Sequence, residues 1–254
     1  MTRKATTTAT LALLFGATSV FADPGGDNES LIDQDGNKNE ANHTQSGHDN
    51  IAETVQPGNE NESNIEQISY GHEAYHLQEG NKNLADTLQE GDFDHIAFVD
   101  QSGNGNVAMQ NQIGATPNFA EIWQGGNENY AEQNQTSAWD GHVAEINQGG
   151  NENQAWQTQT GDGTKEARID QYGNKNEATQ VQDGSGDGTF AFANQDGNGN
   201  LSNQYQTGDG AHWSEVHQSG NDNIADVFQD HSLVMYSEIH QGGNGNIANV
   251  VQTP

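Results

Sequence analysis

Residues 142–159 read HVAEINQGGNENQAWQTQ. In steps of two they give His142, Ala144, Ile146, Gln148 and then Asn153, Ala155, Gln157, Gln159. Period two is the mark of a β-strand, whose alternate side chains share one face. Two seven-residue strands are therefore written here, joined through Gly149-Gly150-Asn151-Glu152. Each ends on Gln and carries Ala four positions earlier.

The closing residue recurs along the whole chain. Gln34, Gln45, Gln56, Gln67, Gln78, Gln89, Gln101, Gln112, Gln124, Gln135, Gln148, Gln159, Gln171, Gln182, Gln195, Gln206, Gln218, Gln229, Gln241 and Gln252 stand 11 to 13 residues apart. Glutamine is neither a turn former nor a core hydrophobe. A fixed pitch of Gln makes sense where the chain returns to one place coil after coil, as in a solenoid. Every second strand also opens on Asn, six before its Gln: Asn39, Asn61, Asn83, Asn106, Asn129, Asn153, Asn176, Asn200, Asn223 and Asn246. Stacked coils let such amides bond above and below, which avoids the cost of about 1–3 kcal/mol for a buried unpaired amide. These Gln and Asn positions are the expected structural ladder.

Four before each Gln stands Ala or Ser, from Ser30 and Ala41 to Ser237 and Ala248. Small residues let two sheets face each other closely, as in a dry zipper. Trp123, Trp156, Tyr205, Trp213 and Phe228 fall on the opposite parity and belong outside. Turns such as Asp35-Gly36-Asn37-Lys38 are read as tight reversals in which Gly and Asn take positive φ. The expected fold is all-β: a solenoid of ten strand-turn-strand-turn coils over residues 28–252, with two facing parallel in-register sheets. At about 4.7–4.8 Å per layer the stack is roughly 45 Å long.

Composition alone points elsewhere. Leu, Ile, Val and Phe number 40 of 254 residues, below a fifth, and the formal net charge is −30. Such a chain is normally disordered, for want of apolar surface to bury. The repeat overrules that reading, because stacking builds a thin continuous core and ladders its polar groups. Strong acidity argues against nucleic acid as a partner. Arg3 and Lys4 followed by Leu11, Leu13, Leu14 and Phe15 read as a signal peptide over residues 1–22, with cleavage before Asp23. The apolar run is too short to span a bilayer. Loss of two basic residues takes the mature charge from −30 to −32. The chain has no Cys, so no disulfide supports it. A short leader, residues 23–27, precedes the first coil, and residues 253–254 follow the last.

The half-repeats QGGNENQAWQTQ (148–159), QDGNGNLSNQYQ (195–206) and QSGNDNIADVFQ (218–229) resemble the curlin repeat, Gln-x-Gly-x-x-Asn-x-Ala-x-x-x-Gln. The chain is similar over residues 28–252 to the major subunit of curli, the functional amyloid of bacterial biofilms. The resemblance implies a secreted, non-enzymatic fibre subunit at the bacterial surface and in the biofilm matrix, serving adhesion, aggregation and scaffolding. It implies three partners: further copies of the chain, a minor nucleating subunit and a dedicated outer-membrane secretion pore. The family commonly has Ser six before Gln in the first half-repeat. Here that column reads Asn28, Asn50, His72, His95, Asn118, His142, Lys165, Thr189, His212 and Met235.

Other constellations have plain structural explanations. His72 with His95, and His217 with His240, share columns in adjacent coils, which suits a metal site less well than polar column filling. Asp162, Asp187 and Asp209 lie in Gly-rich turns that suggest calcium contact. Non-specific contact with divalent cations is the expectation, and no cofactor is expected. The Gly-rich strings lack the following Lys and helix of a nucleotide loop. Lys38, Glu60 and Lys82, Glu152 and Lys175, and Glu145 and Arg168 place opposite charges in neighbouring coils. The alternative function is a non-polymerising extracellular solenoid that binds calcium or a surface.

Overall fold

The structure, a computed structural model, describes residues 21–22 and 27–254. It is all-β among these residues, with two parallel sheets wound as a β-solenoid of ten coils. The expected signal peptide and leader fall largely outside the described residues. One sheet contains β2 (Glu29–Asn37), β4 (Ile51–Asn59), β6 (Glu73–Asn81), β8 (Ile96–Asn104), β10 (Phe119–Asn127), β12 (His142–Asn151), β14 (Lys165–Asn174), β16 (Thr189–Asn198), β18 (Trp213–Asn221) and β20 (Tyr236–Asn244). The other begins with β1 (Phe21–Ala22). It continues through β3 (Glu40–His48), β5 (Glu62–Tyr70), β7 (Leu84–Gly91), β9 (Val107–Gly114), β11 (Tyr130–Ser137), β13 (Gln154–Thr160), β15 (Glu177–Asp183), β17 (Leu201–Thr207), β19 (Ile224–Asp230) and β21 (Ile247–Gln252).

Stacking is in register. Ala120 pairs with Ala144, Ile122 with Ile146 and Gln124 with Gln148. A sequence column therefore becomes a spatial column. The Ala/Ser positions are buried in all coils except at Ser30 and Ala248, which lie in the first and last coil. Between them, one inward position per strand varies. In the first three coils it holds Ile32, His43, Thr54, Ile65, His76 and Thr87. Through the middle coils Val99, Ile122, Ile146 and Ile169 face Gln110, Gln133, Gln157 and Gln180. The last two coils close on Val216, Val227 and Ile239, with Val250 packed alongside. The large side chains point out, with Trp123, Tyr205, Trp213 and Phe228 exposed and Trp156 half-buried.

The turns within coils differ from the expectation. Pairing continues past Gln34, with Asp35 opposite Pro57, Gly36 opposite Gly58 and Asn37 opposite Asn59. Strands in this sheet are thus nine or ten residues long rather than seven. Asn37 does not take positive φ. The left-handed residue is the next one: Lys38 at 57°, Glu60 at 56°, Glu152 at 55° and Asp222 at 56°, with Gly at the same place in Gly105, Gly199 and Gly245. Its backbone N–H donates to the Asn carbonyl of the preceding coil, as from Glu60 to Asn37 at 2.8 Å. Stacking, not local turn preference, sets the conformation. Gly36 does take positive φ, at 122°, as expected, and a Cβ there would also lie 1.8 Å from the Gly58 carbonyl oxygen. The same close approach recurs at Gly150, where a Cβ would lie 1.9 Å from the Gly173 oxygen.

Candidate functional site

The expected ladder glutamines lie in two columns, one on each sheet, at the end of the inward face. In one, Gln34 Nε2 donates to Gln56 Oε1 at 2.6 Å, Gln56 to Gln78 at 2.7 Å, and the relay runs through Gln101, Gln124, Gln148, Gln171, Gln195 and Gln218 to Gln241. In the other, Gln45 donates to Gln67 at 2.9 Å, and the relay passes Gln89, Gln112, Gln135, Gln159, Gln182, Gln206 and Gln229 to Gln252. From Gln45 onward each Nε2 also donates across the gap to a backbone carbonyl at the start of a facing strand, as from Gln148 to Tyr130 O at 2.9 Å. The amides thus tie coil to coil and sheet to sheet.

The expected asparagines act differently. Each Oδ1 accepts the backbone N–H of the Asn in the next coil, as Asn129 accepts from Asn153 at 3.0 Å. Each Nδ2 reaches a glycine carbonyl in that coil, as from Asn129 to Gly150 O at 3.0 Å. Asn39, Asn61, Asn83, Asn106, Asn153, Asn176, Asn200 and Asn223 repeat the pattern. They brace the backbone, and only some add an amide-to-amide bond, such as Asn223 to Asn200 at 3.0 Å. Asn246 ends the column.

Two ladders went unread in the sequence. Asn37, Asn59, Asn81, Asn104, Asn127, Asn151, Asn174, Asn198, Asn221 and Asn244 form a third relay on the turn, each Nδ2 donating to the next Oδ1 at 2.8–3.0 Å. Asn three residues after alternate ladder glutamines was the available signal. Inside the core, Gln110, Gln133, Gln157, Gln180 and Gln204 form a fourth, with links of 2.7–3.0 Å.

The column six before Gln holds the turns between coils. His72 Nδ1 accepts the His95 N–H at 3.2 Å, and its Nε2 pairs with Ile68 O at 3.0 Å. His95 does the same with Asn118 N–H and Glu90 O. The two rings stack at 4.9 Å. With both nitrogens engaged, neither ring has a lone pair for a metal. Burial pushes His72 below the ordinary imidazole range and His95 and His142 to about 4. His217 and His240 stack at 4.8 Å on the outer face. Lys165 is buried and donates to Asp162 O, Gly163 O and Gly184 O at 2.6, 3.2 and 2.9 Å. Burial lowers its pKa while Asp183 and Asp162 oppose the shift.

The Asp turns pin coils together. Asp187 accepts from the Thr164 hydroxyl and backbone N–H, and Asp209 accepts from Ser185 Oγ at 2.6 Å. The Thr164 hydroxyl holds the Asp187 carboxyl below its usual range. Among the described residues no three His, Cys, Asp or Glu side chains are grouped to hold a metal ion. The anticipated charge pairs form: Lys38–Glu60 at 3.4 Å, Lys82–Glu60 at 3.8 Å, Lys175–Glu152 at 3.6 Å and Arg168–Glu145 at 3.5 Å. They are exposed and contribute about 0–1 kcal/mol each.

All three glutamine relays and the turn relay donate in one direction, toward the C-terminal coil. The two ends of the solenoid therefore differ. At the first coil Gln34 Oε1, Gln45 Oε1 and Asn37 Oδ1 accept from no donor among the described residues. At the last coil Gln241 and Gln252 each use one N–H on a backbone carbonyl, Ile224 O and Tyr236 O, and the next glutamine of the relay is missing. No family model matches the chain, and neither does any curated protein.

Proposed function

We propose that the chain is a structural subunit that polymerises head to tail into a curli-like extracellular amyloid fibre. The observation that carries this reading is the complementarity of the two ends. In the glutamine and turn relays acceptors crown the first coil and donors the last, and the bracing Asn column runs the opposite way, from Asn246 Oδ1 to the Asn39 N–H. A second copy continuing the register sets its Ser30, Ile32, Gln34, Gly36 and Asn37 on Ser237, Ile239, Gln241, Gly243 and Asn244. Its Ala41, Asn42 and Gln45 meet Ala248, Asn249 and Gln252, and its Asp33 meets His240. Unpaired strand edges with matching chemistry template addition, and a contact of this kind does not close on itself, so it gives a filament.

In this reading the first 22 residues direct export. Cleavage before Asp23 removes β1, which pairs with β3 through Phe21–Thr44 and Ala22–Gln45, and frees that edge for a further copy. The fibre serves adhesion and scaffolding in a biofilm matrix and performs no catalysis. A minor subunit nucleates it and an outer-membrane pore releases it. Purified residues 23–254 are expected to form fibres with an axial spacing of about 4.7–4.8 Å. Replacing Gln241 and Gln252 with Leu is expected to slow elongation, whereas Trp156→Ser on the outer face leaves it near the wild-type rate. A folded monomer that never elongates, or equal effects of inner and outer changes, overturns the reading.

A further inference from the structure

The first three coils enclose a hydrogen-bonded chain found nowhere else among the described residues. Ser30 Oγ lies 2.8 Å from His43 Nδ1, and His43 Nε2 lies 2.8 Å from Thr54 Oγ1. Thr54 Oγ1 meets Ser63 Oγ at 2.8 Å, Ser63 Oγ meets His76 Nδ1 at 2.8 Å, and His76 Nε2 meets Thr87 Oγ1 at 2.8 Å. Thr87 then donates to Gln110 Oε1 at 3.2 Å, the first residue of the core glutamine relay. The chain zigzags between the sheets, so every link joins two coils or two sheets.

The Gln110 amide fixes every proton in it. Its Oε1 takes the Thr87 hydroxyl, so Thr87 accepts from His76 Nε2–H. His76 Nδ1 must then accept from Ser63, Ser63 from Thr54, and Thr54 from His43 Nε2–H. His43 Nδ1 accepts from Ser30. Both imidazoles are therefore neutral with the proton on Nε2. One added proton is absorbed by turning the chain: His76 Nδ1–H then donates to Ser63, Ser63 to Thr54, Thr54 to His43 Nε2, and His43 Nδ1–H to Ser30 at the half-open end. With both rings protonated, Thr54 and Ser63 stand between two donors, and one of their hydroxyls is left without an acceptor inside the buried core.

We propose that the solenoid carries an acid-operated release in its first three coils: protonation of His43 and His76 breaks this chain and opens those coils while the rest stay wound. Among the described residues no counter-charge faces the pair. The inward residues around them are Ser30, Ile32 and Gln34 on β2, Ala41 and Gln45 on β3, and Ala52, Thr54 and Gln56 on β4. On β5 they are Ser63, Ile65 and Gln67, on β6 Ala74 and Gln78, on β7 Ala85, Thr87 and Gln89, and on β8 Ala97, Val99 and Gln101. The carboxylates of these strands occupy the alternate, outward positions. The charge that can face His76 is His43, which opposes its protonation. Desolvation takes His43 to about 4, and desolvation with His43 takes His76 to about 3. Both folded values lie below the ordinary 6.5, so the unfolded coils bind the proton first. Stability is whole above about pH 6.5 and drains away as pH falls toward the folded values. His72, His95 and His142 act in the same sense, each on one turn. Residues 165–207 contain no His and supply the internal reference.

The release belongs to the single chain and holds whether or not copies associate. It is tested by hydrogen–deuterium exchange of the full chain at about pH 7.5 and about pH 4.5, corrected for the intrinsic pH dependence of exchange. Each histidine is expected to shift the opening equilibrium by about 100-fold over the two units below 6.5. β3 to β6 should therefore lose at least that much protection relative to β14 to β17. His43→Gln with His76→Gln, which keeps polar but non-titrating side chains, should remove most of the difference and leave only what His72 adds at its turn. An equal loss in all coils, or a loss undiminished in the double variant, overturns the proposal. Should the variants not fold, exchange of the imidazole C2–H in the unaltered chain decides. Midpoints for His43 and His76 below about pH 5 support the release, and midpoints near 6.5 overturn it.

Discussion

The first three coils and the four around Ile146 share one backbone plan and differ in what fills it. The first group closes on His43, Thr54, Ser63, His76 and Thr87, linked by hydrogen bonds of 2.8 Å. The second closes on Val99, Ile122, Ile146 and Ile169 against a row of glutamines. The first holds its inward groups through shared protons and the second through apolar contact beside an amide relay, with Asn118 Nδ2 and His142 Nδ1 left unpaired at the turns. Apolar contact is indifferent to pH, whereas a chain of shared protons is not. One column of side chains thus decides under which conditions a coil holds, while the ladders and glycines decide that it is a coil.

The sharpest way to break the comparison is to damage what the two regions share. Gly80→Ala and Gly150→Ala drive a Cβ to 2.0 and 1.9 Å from the next glycine carbonyl oxygen, both at positive φ. Each is expected to cost about 3–5 kcal/mol, because backbone cannot move aside as a side chain can. Urea midpoints should fall alike for both. A large loss at one and a small loss at the other would show that the two backbones are not equivalent.

Damage to what differs should separate the regions. Ile146→Ala removes buried apolar contact and should cost about 2–4 kcal/mol at any pH. Thr54→Val keeps the shape but leaves His43 Nε2–H and Ser63 Oγ without their partner, a loss of about 1–3 kcal/mol near neutral pH. Denaturation curves at neutral and acid pH should show the Ile146 loss unchanged and the Thr54 loss reduced, since acid has already broken that chain.

The smallest effect is expected at the left-handed turn position. Asp222 has φ of 56° where three other coils have Gly. Asp222→Gly relieves the left-handed penalty, set against the greater chain entropy of Gly, for a net gain of under about 1 kcal/mol. Thermal midpoints measure it. A loss would mean that the Asp222 side chain holds the turn by a contact worth more than the strain.

Much of this could be read from residues alone. The twenty glutamines, the Ala/Ser columns and the outward Trp123 and Trp213 follow from period two and a constant pitch, since parallel in-register stacking turns sequence distance into spatial column. The turns were less legible. Asn37 suggests a reversal when seen beside Gly36, yet it continues the strand, because its amide bonds the Asn of the next coil rather than its own backbone. The core chain was less legible still. His43 and His76 lie 33 residues apart, and nothing in either half-repeat places Thr54 and Ser63 between them.

The sequence by itself determined the coil, its two faces and its stacking register, because a repeated pattern has few ways to bury one face. Tertiary structure decided the direction in which the amides donate, the unlike character of the two ends and the proton order of the histidine chain. Those depend on which strand faces which across the core, and a hydrogen bond is fixed only when donor and acceptor have both been placed.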